Sequence, residues 1–146
     1  TSANDGMVHI FKKNGGGDDR NYSLKLSYIP GTMPRKDIQS QDSTLAKELR
    51  AFAEKGYVGD RYGVDGGFVL RQYKDRVFMF GAMGFGGRGA YALDLTKIDS
   101  NNLTGVSMFD VQNDKNNNKN DNNRVELGYT VGTPQIGKTH DGKYAA

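Results

Sequence analysis

Two stretches of this chain are written to one plan. "ANDGMVHIF…YSLKLSYIP" and "GGRGAYALDL…LTGVSMFDV" each run from a glycine turn into a short alternating strand, then a polar connection, then a second strand. "HDGKYAA" begins the same plan a third time. Sheets of this size leave apolar faces that only a neighbouring sheet can cover. The repeat therefore constrains the fold more than any single motif.

The strand periods are explicit. In "MVHIFKK", Val8, Ile10 and Lys12 point one way and Met7, His9 and Phe11 the other. In "YSLKLSYIP", Leu24, Leu26 and Tyr28 share a face opposite Ser23, Lys25 and Ser27. Residues 7–29 thus read as a β-hairpin with a long polar loop. Further strands are expected at 68–72, at "VFMFGAM" after a Lys74-Asp75 turn, at "AYALDL" and at "GVSMFDV". "RVELGYTVG" reads as a strand or extended segment.

One helix breaks the pattern. Leu45, Leu49 and Phe52 recur at helical spacing, Asp42 or Ser43 can cap the start, and Gly56 suits the C′ position. The segment from Pro30 to the helix is irregular, and Pro34 discourages both helix and central strand. The expected fold is mainly β, part of a β-propeller with one short helix near 43–55. At about 40–50 residues per blade, the 146 residues supply roughly three blades. Propellers close with about 4–8. Residues 1–146 therefore read as one partial propeller domain, a fragment of a larger chain.

Twenty Gly, eight Tyr and seven Phe suit turns and strands, while three Pro leave the strands intact. Lys and Arg total 20 against 17 Asp and Glu, and both signs are interspersed. That argues against a nucleic-acid surface, which gathers its cations. The absence of Cys excludes disulfides, thiol catalysis and Cys-ligated zinc. No apolar run is long enough to make a transmembrane helix. The N-terminus lacks a basic stretch followed by an apolar one, and reads as a chain entered mid-domain.

Several motifs invite a chemical reading. Gly84-x-Gly86-x-x-Gly89 matches the dinucleotide-binding spacing. That chemistry needs a helix after the loop, whose N-terminus holds the pyrophosphate. "AYALDL" has a period of two, and Asp94 lies too near to serve as the ribose-binding acid. The glycines read as a turn between strands, with Arg88 directed to solvent or to a carboxylate. Starting at Asp110, the oxygen-bearing residues Gln112, Asp114, Asn116, Asn118 and Asp121 follow calcium-loop spacing. Lys115 stands where such a loop needs Gly, and Asp121 where it needs a bidentate Glu. Residues 113–123, with seven Asn, read as a polar loop.

Asp60, Arg61 and Asp65 gather in a glycine-rich bend and read as turn residues. His9 and His140 read as structural or solvated, although a catalytic triad is spatial and spacing does not exclude one. Tyr22, Tyr28, Tyr57, Tyr62 and Tyr73 are candidates for a recognition surface. No catalytic, cofactor-binding or metal-binding residue is assigned.

The ordered combination "ANDGMVHIF", "YIPGTMPRK", "YGVDGG", "GGRGAYALDLT" and "LGYTVGTPQIGKTHDGKYAA" resembles the C-terminal propeller of PilC/PilY-type proteins, bacterial factors of the type IV pilus tip. It spans nearly the whole chain apart from the Asn-rich loop. The resemblance implies a modified, quinoprotein-like propeller with roles in pilus biogenesis and host-cell adhesion. It implies export to the outer membrane or cell surface, with pilus subunits or minor pilins and a host receptor as partners. Calcium regulates some members through a D-x-D-x-D-G loop. "DVQNDKNNNKND" departs from that pattern at the glycine and at the third position, so no calcium site is carried over. The family's variable N-terminal region, linked to adhesion, is absent from this sequence. The rival reading is a quinoprotein-like dehydrogenase, whose quinone site would need polar residues from more blades than three. A purely structural scaffold for minor pilins is the other alternative.

Overall fold

The hairpin expected from residues 7–29 forms as β1 (Val8–Lys13) and β2 (Tyr22–Tyr28), paired antiparallel. A register shift between Ile10 and Phe11 places Phe11 opposite Leu24. It divides the apolar stripe. Val8, Ile10, Leu26 and Tyr28 pack into the core, whereas Phe11 and Leu24 stay exposed. A bulge of this kind bends a strand and re-aims its side chains. The computed structural model describes residues 1–18, 20–33, 50–51, 53–56, 62–112 and 127–146.

The centre of the molecule is a four-stranded antiparallel sheet in sequence order, β3 (Phe68–Tyr73), β4 (Arg76–Ala82), β5 (Gly89–Asp94) and β6 (Ser107–Gln112). Tyr73 pairs with Arg76, so Lys74 and Asp75 make the two-residue turn foreseen for them. A short terminal hairpin, β7 (Gly137–Lys138) and β8 (Tyr144–Ala145), turns at Asp141-Gly142. Tyr144 meets Tyr73 with ring centroids 5.1 Å apart, which ties this hairpin to the edge of the central sheet. Three antiparallel sheets among the described residues match the repeat read from the sequence.

One face of the central sheet receives the β1–β2 hairpin. Met79, Tyr91 and Leu93 meet Val8, Ile10, Leu26 and Tyr28 there, with Met33, Val64, Met83 and Val106 closing the core. Burying each large apolar side chain contributes roughly 1.5–3 kcal/mol. The second face of the sheet is covered as well. Of Ala90, Ala92 and Asp94, which alternate with Tyr91 and Leu93 along β5, Ala92 and Asp94 are buried. β5 is a central strand, and Ala92 pairs with Phe80 on one side and Phe109 on the other. Its small side chain lets the two rings meet, with centroids 5.6 Å apart.

Among the described residues, Asp94 is the one buried charged side chain of the core, 1% exposed. Arg76 Nη2 donates to its Oδ2 at 2.8 Å, and the Thr96 N–H donates to its Oδ1 at 3.2 Å. It thereby caps the 3-10 turn at Leu95–Lys97 that carries the chain towards β6. Burial pushes this carboxyl up. The hydrogen bonds from Arg76 and Thr96 together outweigh burial and hold it below the usual carboxylate range. A lowered folded-state value contributes stability above the unfolded value near pH 4, and that stability is lost as pH falls through the folded value. Asp94→Asn should therefore lower the thermal midpoint at pH 7 and flatten its decline below about pH 4. Calorimetry across pH 2–7 would show an unchanged acid limb if Asp94 were not the group responsible.

The helix foreseen near 43–55 is described only at its end. Residues 50, 51 and 53–55 are helical, and Gly56 follows at φ 68°, the left-handed stop expected there. Asp42, Ser43, Leu45, Leu49, Phe52 and Pro34 lie outside the described residues. The extended reading of "LGYTVG" holds: Thr130 bridges Gly84 without forming a named strand.

Candidate recognition surface

Three glycine-rich segments far apart in sequence meet at one end of the central sheet. They are the bend at residues 62–67, the loop at 83–89 and the extended segment at 129–133. The Asp65 N–H donates to the Met83 carbonyl at 3.3 Å, and the Phe85 N–H to Asp65 Oδ2 at 3.3 Å. The Gly84 N–H donates to the Thr130 carbonyl at 3.1 Å, and the Gly67 N–H to the Gly132 carbonyl at 3.2 Å. The Thr130 hydroxyl accepts from the Met83 N–H at 2.9 Å and donates to the Gly89 carbonyl at 2.7 Å. Met83 and Val64, both buried, anchor the assembly to the core.

The dinucleotide reading of Gly84-x-Gly86-x-x-Gly89 ends here, because β5 begins at Gly89 where a helix would be required. Gly86 has a different reason to be glycine. A Cβ on it would lie 1.6 Å from the Gly63 carbonyl oxygen. The loop is a backbone-on-backbone packing joint.

Above this joint stand three exposed aromatics. Tyr62 meets Phe85 at 5.6 Å between ring centroids, and Phe85 meets Tyr129 at 6.3 Å. All three are more than half exposed. Arg88 lies with its guanidinium 5.2 Å over the Tyr129 ring. The sequence reading sent Arg88 to solvent or a carboxylate; it is exposed and stacks on an aromatic face, the geometry of a cation–π contact. Single exposed apolar residues are ordinary, but a contiguous cluster marks an interaction surface. Tyr, Phe and Arg on a rigid base lose little entropy on binding.

The other candidates disperse. Tyr28 is not a surface residue: it faces inward, donating to Asp110 Oδ2 at 2.7 Å and meeting Tyr91 at 5.7 Å. Burial and the Asp110 carboxylate push its phenol up to about 12. Tyr22 and Tyr73 are exposed on other parts of the surface. Tyr57, Asp60 and Arg61 lie outside the described residues, as do Asp114, Asn116, Asn118 and Asp121 of the calcium-like spacing. Asp110, its first position, is held by Tyr28 and by the Gly31 N–H at 2.5 Å. His140 is exposed.

His9 has partners that spacing did not reveal. Its Nε2 is 2.7 Å from Asp5 Oδ2 and its Nδ1 2.9 Å from Ser27 Oγ. The order carboxylate, imidazole, hydroxyl is that of a nucleophilic relay. Ser27 was findable, since it stands directly opposite His9 in the hairpin register. Asp5 also accepts from the Met7 N–H at 2.9 Å, so the cluster ties the N-terminal turn to β2. Phe85 and Tyr129 carried no signal of their meeting, being distant in sequence.

No described helix is long and apolar enough to cross a membrane. The whole chain, residues 1–146, matches the model of the PilY1 beta-propeller domain. A type IV pilus biogenesis factor PilY1 homolog of Xylella fastidiosa (strain Temecula1) is 30% identical over 148 residues. The match covers 99% of this chain but only 8% of that relative's length. No solved structure matches it.

Proposed function

Because the chain belongs to the PilY1 beta-propeller domain family, we propose that it is a non-enzymatic module of an exported, pilus-tip-associated protein at the outer membrane or cell surface. It supports type IV pilus biogenesis and host-cell adhesion through surface contacts. The observation that carries this reading is the family match across all of residues 1–146. The platform of Tyr62, Phe85, Tyr129 and Arg88 supplies the contact, and its first partner is a pilus subunit or minor pilin.

Phe85→Ala and Tyr129→Ala should each weaken binding to immobilised minor pilins by about tenfold, the ordinary loss at an aromatic hot spot. Both side chains are exposed, so the thermal midpoint should stay within about 2 °C. Equal binding by wild type and both variants in surface plasmon resonance would remove the platform from the reading. Loss of piliation without loss of adhesion, in cells carrying the variants, would separate the two roles. A hydrolytic reading of Asp5, His9 and Ser27 predicts covalent labelling by a fluorophosphonate that Ser27→Ala abolishes. Such labelling would overturn the non-enzymatic assignment.

A further inference from the structure

Arg88 is held in place without being paired. Its guanidinium lies 5.2 Å over the Tyr129 ring, yet among the described residues no carboxylate or carbonyl accepts a hydrogen bond from it. Arg50 and Arg76, by contrast, each donate to a carboxylate, that of Glu54 and that of Asp94. A cation over a ring is engaged through the aromatic face, while the N–H donors of a guanidinium lie in its own plane. The contact with Tyr129 therefore orders the side chain and leaves its fork of donors available. Such a fork matches the two oxygens of a carboxylate, and ordering it beforehand lowers the cost of binding one.

The neighbouring charge gives the platform a direction. Asp65 is exposed, and its Oδ2 accepts from the Phe85 N–H, so the Phe85 end carries a carboxylate of its own. An acid on a ligand is repelled there and attracted to Arg88. The rings give the platform a spacing. Tyr129 and Phe85 lie 6.3 Å apart, and Phe85 and Tyr62 5.6 Å. In an extended peptide, alternate side chains share a face about 6.6 Å apart. An acid taken by Arg88 beside Tyr129 thus puts the side chain two positions away over Phe85, where an apolar group suits the ring.

We propose that the platform reads an acidic residue with an aromatic or aliphatic residue two positions away, in an extended segment of its protein partner. The Arg88 guanidinium takes the carboxylate, and Phe85 and Tyr62 take the apolar side chain. The inference rests on the proposed role of these residues in binding a pilus subunit or minor pilin, and states the chemistry that such a partner must present. A neutral segment leaves the Arg88 fork empty. A basic one meets Arg88 as a like charge.

The test is a peptide titration of the isotopically labelled 146-residue chain, followed by magnetic resonance at the Phe85, Arg88 and Tyr129 amides and the Arg88 side-chain N–H. Capped Gly-Asp-Thr-Phe-Gly should bind about tenfold more tightly than Gly-Asn-Thr-Phe-Gly, which lacks the charge, and than Gly-Asp-Phe-Thr-Gly, which has the wrong spacing. Arg88→Gln should abolish the preference for Asp over Asn. Arg88→Lys, which keeps the charge but not the fork, should retain only part of it. Phe85→Ala should weaken the Asp and Asn peptides alike. Equal binding of those two peptides, an Asp preference that survives Arg88→Gln, or equal binding of both spacings would overturn the proposal. So would a response to none of the peptides, or the same signals moved as far by acetate alone. Minor-pilin binding lost in Phe85→Ala but kept in Arg88→Gln would sink this inference and leave the platform standing. Binding kept in both would remove the platform itself, a separate failure from that of the peptide titration.

Discussion

Gly86→Ala is expected to be the most damaging single substitution among the described glycines, costing about 4 kcal/mol or more and leaving little folded protein at 37 °C. The added Cβ would sit 1.6 Å from the Gly63 carbonyl oxygen and 2.8 Å from its carbon. Neither atom belongs to a side chain that can rotate away. Gly63 is held in turn, its N–H donating to Asn4 Oδ1 at 3.2 Å while Val64 binds the Ala3 carbonyl at 3.1 Å. The bend cannot retreat without breaking contacts to the N-terminal segment, and the Gly86 N–H itself donates to the Met83 carbonyl at 2.9 Å. Chemical denaturation of the purified variant gives the measure. A loss under 1 kcal/mol would mean that the two loops can separate, and that the aromatics above them have no rigid base.

This loop shows both what the sequence disclosed and where it stopped. The period of two in "AYALDL" ruled out a cofactor helix correctly, because side-chain alternation is local and survives any tertiary context. The hairpins at residues 8–28 and 68–82 were legible for the same reason, as was the Lys74-Asp75 turn. The candidate recognition surface was not. Gly86 was identified as a turn former, whereas its constraint is the approach of Gly63, and no spacing rule encodes that pairing. Tyr62 was picked as a surface tyrosine, but its neighbours Phe85 and Tyr129 arrive through hydrogen bonds made by Asp65 and Thr130. The burial of Asp94 was not legible either, because the alternation of "AYALDL" does not say that both faces of this strand are covered. Proximity created by tertiary hydrogen bonds leaves its signature in pairs of positions, not in either position alone.

Gly81→Ala should be nearly as severe in the wild-type background but strongly dependent on what stands at position 91. Gly81 pairs directly with Tyr91 across β4 and β5. A Cβ at Gly81 would lie 2.1 Å from the Tyr91 Cζ and 2.3 Å from its hydroxyl oxygen. The Tyr91 ring is fully buried and packs against Tyr28, so it has nowhere to swing. Forcing a methyl into such a site costs about 3 kcal/mol. Unlike Gly63, however, the obstacle is a side chain and can be removed by mutation. Tyr91→Leu alone should also destabilise, by about 2–3 kcal/mol, because it opens space in the core. The double variant should recover part of both losses, with a favourable coupling of about 1–2 kcal/mol in a double-mutant cycle. Tyr91→Phe sharpens the comparison. The buried hydroxyl has no hydrogen-bond partner among the described residues, so its removal should leave stability unchanged or raise it slightly. Simple additivity of Gly81→Ala and Tyr91→Leu would show that the ring is not what keeps position 81 a glycine. Burial and the neighbouring Tyr28 and Asp110 also push the Tyr91 phenol above the ordinary tyrosine value. Above about pH 10 the unfolded chain ionises while the folded one does not, so folding weakens as pH rises. Tyr91→Phe should remove part of that alkaline loss, and an identical alkaline limb in the two proteins would place the titration elsewhere.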